Sequence, residues 1–214
     1  MEPSAPGSQA AGTVVGAVAE LRSGQAGPVL AAPLCRFHDL LGVAAADQLL
    51  QQLIEGLGAD NGREPGGIDG LADAVGRRAG VVCDLLGVQP PASPRLSFAL
   101  VTGDDRGRPS AEVSVDPAGA TDSACVSFIY WLHARPRRFS GGQLRLYDVG
   151  IGNGQPIIDA GYRDCPVEHD TIMFFPSSFW SELRPVTRPV ELQPVHGAAD
   201  DPAGARFALR GWIR

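Results

Sequence analysis

The chain contains no lysine; all 18 of its basic residues are arginine. That absence excludes Schiff-base catalysis, pyridoxal phosphate attachment and any phosphate loop that relies on a lysine. An anion held by a positive side chain must therefore be held by a guanidinium, whose planar fork suits carboxylates in two-point fashion. Basic charge is not in excess either. The 24 acidic residues leave a net charge of -6 and a pI near 5.2, which argues against nucleic acid as a partner. No apolar run approaches the roughly 18 residues of a spanning helix, so no membrane is expected. Cysteine is scarce: Cys35, Cys83, Cys125 and Cys165 are scattered with no CxxC pair. That pattern fits reduced thiols in a cytoplasmic protein better than a zinc site or a disulfide framework.

What is present reads as one globular domain over 28–214, after an Ala/Gly/Ser-rich leader at 1–27 that is expected to be disordered. The leader opens with Glu2, without the basic start of a secretory signal. Two helices are predicted. The first spans about 44–57, with Leu49, Leu50, Leu53, Ile54 and Leu57 on one face and Gly58 closing it. The second spans about 68–86, with Leu71, Val75, Val82, Leu85 and Leu86 as its stripe and Gly87 closing it. From about 90 to 214 the pattern turns to short β-type runs. Strands are expected at 95–102, 111–115, 124–132, 143–148, 171–175, 182–186 and 206–213, with turn residues between them. Helices first and antiparallel strands afterwards describe an α+β domain with a sandwich or barrel.

Three segments then carry a family resemblance. Phe128-Ile-Tyr-Trp-Leu-His-Ala-Arg-Pro-Arg-Arg-Phe-Ser-Gly-Gly-Gln-Leu-Arg-Leu-Tyr-Asp148, Cys165-Pro-Val-Glu-His-Asp-Thr-Ile-Met-Phe-Phe-Pro-Ser177 and Arg206-Phe-Ala-Leu-Arg-Gly-Trp-Ile-Arg214 occur in order. With Pro33–Leu41 and the helix after it, they resemble the prolyl 4-hydroxylase-like members of the 2-oxoglutarate/iron(II) oxygenase superfamily. The resemblance implies a double-stranded β-helix, a jelly-roll or cupin-like barrel with the N-terminal helices packed on one sheet. It also implies iron held by two histidines and a carboxylate, with an arginine on the last strand gripping 2-oxoglutarate.

Carried over residue by residue, the family's His-x-Asp falls on Ser114-Val115-Asp116 and its distal histidine on Ser181. The carboxylate is kept as Asp116 and the anion-gripping arginine as Arg206, while both iron ligands become serine. A neutral hydroxyl is a weak donor to a transition metal where imidazole is among the best. No metal is therefore expected at Ser114, Asp116 and Ser181, and no cofactor is required, although 2-oxoglutarate stays compatible with Arg206. Rescue of the site by His133 or His196 would need an unusual backbone path: His133 and His169 read as structural strand and turn residues, His38 precedes the first helix, and His196 lies in a variable loop.

Asp116 is expected at the barrel mouth, where desolvation would suit it to acid/base work with Ser114 and Ser181 beside it. Tyr130 is expected near the cofactor position, and Trp131, Trp180, Arg210 and Trp212 as pocket walls. On the last strand, alternation places Arg206, Ala208, Arg210 and Trp212 toward the barrel and Phe207, Leu209 and Ile213 toward the helices. Three functions follow from the resemblance and its departures. The favoured one is a redox-neutral small-molecule enzyme, a natural-product tailoring catalyst acting on an anionic or polycyclic ligand in the old barrel. The alternatives are a non-catalytic binding or regulatory pseudo-oxygenase, and an active hydroxylase with unorthodox iron ligation. Nothing in the sequence names the substrate or the oligomeric state.

Overall fold

The computed structural model describes residues 12–15, 19–20, 29–56, 68–91, 96–102, 113–114, 125–152, 155–187 and 206–214. Its first elements are strands β1 (Gly12–Val15), β2 (Ala19–Glu20), β3 (Val29–Leu30) and β4 (Leu34–Phe37). Helices α1 (Val43–Gly56), α2 (Asp69–Gly76) and α3 (Ala79–Leu86) follow. Strands β5 (Leu96–Thr102), β6 (Val113–Ser114), β7 (Val126–His133), β8 (Ser140–Gly141) and β9 (Leu144–Gly152) come next. The chain continues with β10 (Gln155–Cys165), β11 (Thr171–Pro176), β12 (Ser181–Leu183), β13 (Val186–Thr187) and β14 (Arg206–Ile213).

All strand pairings are antiparallel among the described residues. One sheet runs β1-β4-β11-β7-β14-β5, and the other β2-β3-β9-β12-β6 with β10 on the second edge of β9. Residues of β7, β11 and β14 from the first sheet and of β9 and β10 from the second share one buried cluster. This is the expected double-stranded β-helix in an α+β chain.

Periodicity explains which faces close. Ala46, Leu49, Leu50 and Leu53 recur at helical spacing on α1 and are all buried. With Leu71, Val75, Val82 and Leu86 they join Phe128, Tyr130, Leu132, Phe207, Leu209 and Ile213 in a core between the helices and the outer face of the first sheet. Alternate residues of the same strands point the other way. Ile129, Trp131, Met173, Phe175 and Ala208 meet Leu144, Leu146 and Cys165 inside the barrel.

Three expectations change. The helix foreseen over 68–86 is two helices, because Arg78 N donates back to Val75 O at 2.9 Å and glycines 76 and 80 flank the turn and weaken the helix there. The restart rotates the buried stripe, so Leu85 is exposed and Cys83 is buried in its stead. Gly87 does close α3, with a left-handed φ of 66°. Within the expected leader, β1 pairs with β4 and β2 with β3; the β-branched Thr-Val-Val of β1 suits an added edge strand. The rest of 1–27, and Gly58, lie outside the described residues. Finally, β10 was missed. Its exposed residues show no alternation, and its ladder on β9 shifts register between Ile158 and Tyr162.

Candidate functional site in the barrel

The second sheet lays a row of four residues across the barrel. Ser181 pairs with Ser114 on one side and with Leu146 on the other, and Leu146 pairs with Arg163. Directly opposed residues in an antiparallel ladder share a face, and Leu146 sits in the barrel core. Ser181, Leu146 and Arg163 therefore lie on the inner face. Ser181 is buried. The two positions carried over from the family's histidines are thus cross-strand partners. Asp116, the third, lies outside the described residues. Among the described residues no three His, Cys, Asp or Glu side chains cluster as metal ligands would.

The first sheet carries Arg206, the residue to which the family resemblance assigns an anion. Arg206 opens β14 and pairs with His133 of β7. Its side chain is only 4% exposed. Nη1 donates to the carbonyl of Gly142 at 2.9 Å, while Nε is buried with no hydrogen-bond partner. No ion pair among the described residues involves it. Burial lowers its pKa to about 10, the direction expected for a cation stripped of water without a counter-charge. Gly142 makes room for it: with φ at +73°, a Cβ there would lie 2.9 Å from Arg206 Cδ. Trp131 is fully buried in the barrel core, and its Nε1 also lacks a partner. The guanidinium Nε–H of Arg206 and the indole N–H of Trp131 are thus buried donors without a partner, and an anionic oxygen could accept from them.

His133 stands next to Arg206 and is buried, with Nδ1 2.9 Å from the Ala134 carbonyl and its ring edge-on to Phe139. Burial pushes its pKa below the ordinary histidine value, so the ring is neutral and Nδ1 is the protonated nitrogen. This agrees with the structural role expected of it. His169 accepts the His133 backbone N–H at 3.2 Å. Its Nε2 lies 3.2 Å from Asp47 without hydrogen-bond geometry. His38 pairs with Glu168 at 2.9 Å. His196 lies outside the described residues.

Of the expected pocket walls, Trp131 lines the interior and Tyr130 does not. Successive residues of a strand face opposite ways. Tyr130 therefore packs in the helix-side core, where its hydroxyl donates to Asp170 Oδ1 at 2.7 Å. It is a structural residue rather than a cofactor contact. Arg210 and Trp212 are half-buried on the barrel side of β14, with the guanidinium 5.3 Å from the indole centroid. Trp180 is half-buried, and its carbonyl accepts the Tyr147 N–H at 3.0 Å.

Two arginines went unnoticed in the sequence. Arg163 faces inward on β10, two residues before the barrel-core Cys165. Arg36 faces inward on β4, between Cys35 and Phe37 of the helix-side core and opposite Met173 of the barrel core. Both guanidinium groups partly offset the burial that pushes the Cys165 thiol up to about 11. Finding them needed the β9–β10 and β4–β11 registers.

The prolyl-4-hydroxylase of Pseudomonas putida superposes with a TM-score of 0.53 at 16% identity, covering 85% of this chain and 91% of that one. A Trichoplax adhaerens prolyl hydroxylase, solved with a hypoxia inducible factor peptide fragment, superposes at 0.52 and 16% identity, over 84% of this chain and 82% of that one. The fold is that of the prolyl hydroxylases. A viral collagen prolyl hydroxylase from Paramecium Bursaria Chlorella virus-1 repeats the match at 0.51 with 10% identity, over 85% and 89%. In sequence, an uncharacterized PKHD-type hydroxylase of Synechocystis is 30% identical over 94 residues, 44% of this chain. The matched stretch is 28% of that relative's length. No family model matches. No helix among the described residues is long and apolar enough to cross a membrane.

Proposed function

We propose that this prolyl-hydroxylase-like barrel works without iron, as a redox-neutral enzyme acting on a small anionic metabolite. The observation that carries the proposal is the register of Ser181 on Ser114. Directly opposed residues place their Cβ atoms about 5 Å apart, close enough for two imidazoles to share one ion. With serine at both places, the donor set that the resemblance implies is two hydroxyls and the carboxylate of Asp116. Hydroxyls are poor ligands for ferrous iron, so this set does not fit the family's metal. No step of the reaction is routed through it.

The rest of the barrel does fit an acid. A ligand carboxylate beside Arg206 and Trp131 would take up the unpartnered Nε and Nε1 donors, and would supply the counter-charge that Arg206 lacks. Arg206 and Trp131 then bind and orient. Asp116 is the group assigned to move a proton, from or to one of its carboxylate oxygens, with the serine hydroxyls positioning the ligand. A natural-product tailoring step is the kind of reaction this arrangement suits.

The test is anaerobic purification with ferrous iron supplied, followed by metal analysis and an assay for succinate from 2-oxoglutarate. The expected result is no stoichiometric iron and no succinate. Iron at one equivalent together with succinate formation would make the protein an iron oxygenase and overturn the proposal.

A further inference from the structure

We propose that Arg163 is the second anion contact of this barrel, so that the ligand is a short dianion with one acid group on Arg206 and the other on Arg163. The inference rests on the reading above that the barrel binds an acid without iron.

Three observations converge on Arg163. Its direction is set by register: it pairs with Leu146 and precedes Cys165 by two residues, and both of those lie in the barrel core. Its Nη1 is buried with no hydrogen-bond partner, and a buried charged donor left unspent is costly unless something pairs with it. The nearby carboxylates are already engaged elsewhere. Asp164 takes Arg145 at 2.7 and 2.8 Å. Glu168 takes His38 at 2.9 Å and Arg36 at 3.6 Å. Glu182 accepts from Tyr147 and from Arg184. Asp148 shares the inner face of β9 by alternation, but none of the ion pairs among the described residues joins it to Arg163.

Position gives the inference its chemistry. Arg163 lies on the row that holds Ser181 and Ser114, with only Leu146 between. A guanidinium here supplies positive charge in the part of the barrel where the resembling family keeps its cation. Arg206 reaches the carbonyl of Gly142, just before β9 begins, whereas Arg163 stands opposite Leu146 within that strand. A short dicarboxylate bound between these two guanidinium groups would have an ion contact at each end.

The experiment compares two acids by calorimetric titration with EDTA present. 2-Oxoglutarate has two acid groups; 4-oxopentanoate has the same chain length and one. Arg163→Gln is expected to weaken 2-oxoglutarate about tenfold or more, the worth of a charge-assisted contact, and to leave 4-oxopentanoate unchanged. Arg206→Gln is expected to weaken both. Arg163→Lys, which keeps the charge, is expected to keep most of the affinity for the dianion, and melting curves establish that each variant is folded. Unchanged 2-oxoglutarate affinity in Arg163→Gln overturns the role of Arg163 while leaving the metal-free acid site standing. Wild-type protein that binds neither acid in EDTA overturns both, whether or not iron restores binding.

Discussion

Arg206 donates from Nη1 to the carbonyl of Gly142 at 2.9 Å, and the same glycine leaves no space beside that arginine for a side chain. A Cβ there would meet Arg206 Cδ at 2.9 Å on a backbone with φ of +73°. Gly142→Ala therefore combines left-handed strain with displacement of Arg206, the proposed anion contact. The expected cost is about 1–3 kcal/mol of stability, with carboxylate affinity falling alongside. Urea unfolding and acid titration on the same variant measure both, and a variant that loses stability but keeps its affinity would separate Gly142 from the grip.

Tyr130 and Asp170 give a prediction of the opposite kind. Asp170 is 1% exposed and accepts the Tyr130 hydroxyl at 2.7 Å and the backbone N–H groups of Leu41 and Gly42 at 3.0 and 2.8 Å. It thereby ties the start of α1 to the turn before β11. Tyr130→Phe is expected to cost about 1–2 kcal/mol, as the loss of a buried hydrogen bond to a charged group does. Ligand affinity should not move, because this contact lies on the helix side of the first sheet. A fall in affinity without loss of stability would return Tyr130 to the pocket.

Acid should weaken the fold through His133. Burial holds its pKa below the unfolded value of 6.5, so the folded state binds fewer protons there than the unfolded chain. The stability this contributes is fully present above about 6.5 and drains away as pH falls through the lower folded value. Melting temperature is expected to decline from pH 7 toward pH 5 in wild type, and less steeply in His133→Asn. Identical slopes in the two proteins would remove His133 as the cause.

Much of this was legible in the residues because alternation is a local rule. The last strand reads correctly from its own sequence: Phe207, Leu209 and Ile213 join the helix-side core, and Ala208 joins the barrel. The same rule applied across the ladder corrects Tyr130. It pairs with Leu209, while Trp131 pairs with Ala208, so only the tryptophan faces inward. Register is a long-range property that no single strand displays. Arg163 was hidden for a related reason. Its strand is largely exposed and interrupted by Pro156 and the irregularity before Tyr162, so nothing local marks which residues face the barrel.

The thiols should sort by burial. Cys35, Cys83 and Cys165 are buried, and burial raises each to about 11, whereas Cys125 is half-buried. Thiolate is the reactive form. Iodoacetamide at pH 8 is expected to modify Cys125 first in the folded protein and the other three only on denaturation, as peptide mass mapping would record. Early labelling of Cys165 would mean that the barrel core is more open than its packing implies.

On the proposed function, the serines at positions 114 and 181, opposed on β6 and β12, keep iron out of the barrel. The direct test is metal content after dialysis against ferrous iron under nitrogen, in wild type and in the Ser114→His/Ser181→His double variant. No retained iron is expected in wild type, and close to one equivalent in the variant, whose two imidazoles would join Asp116. Iron retained by wild type, or none gained by the folded double variant, would contradict it.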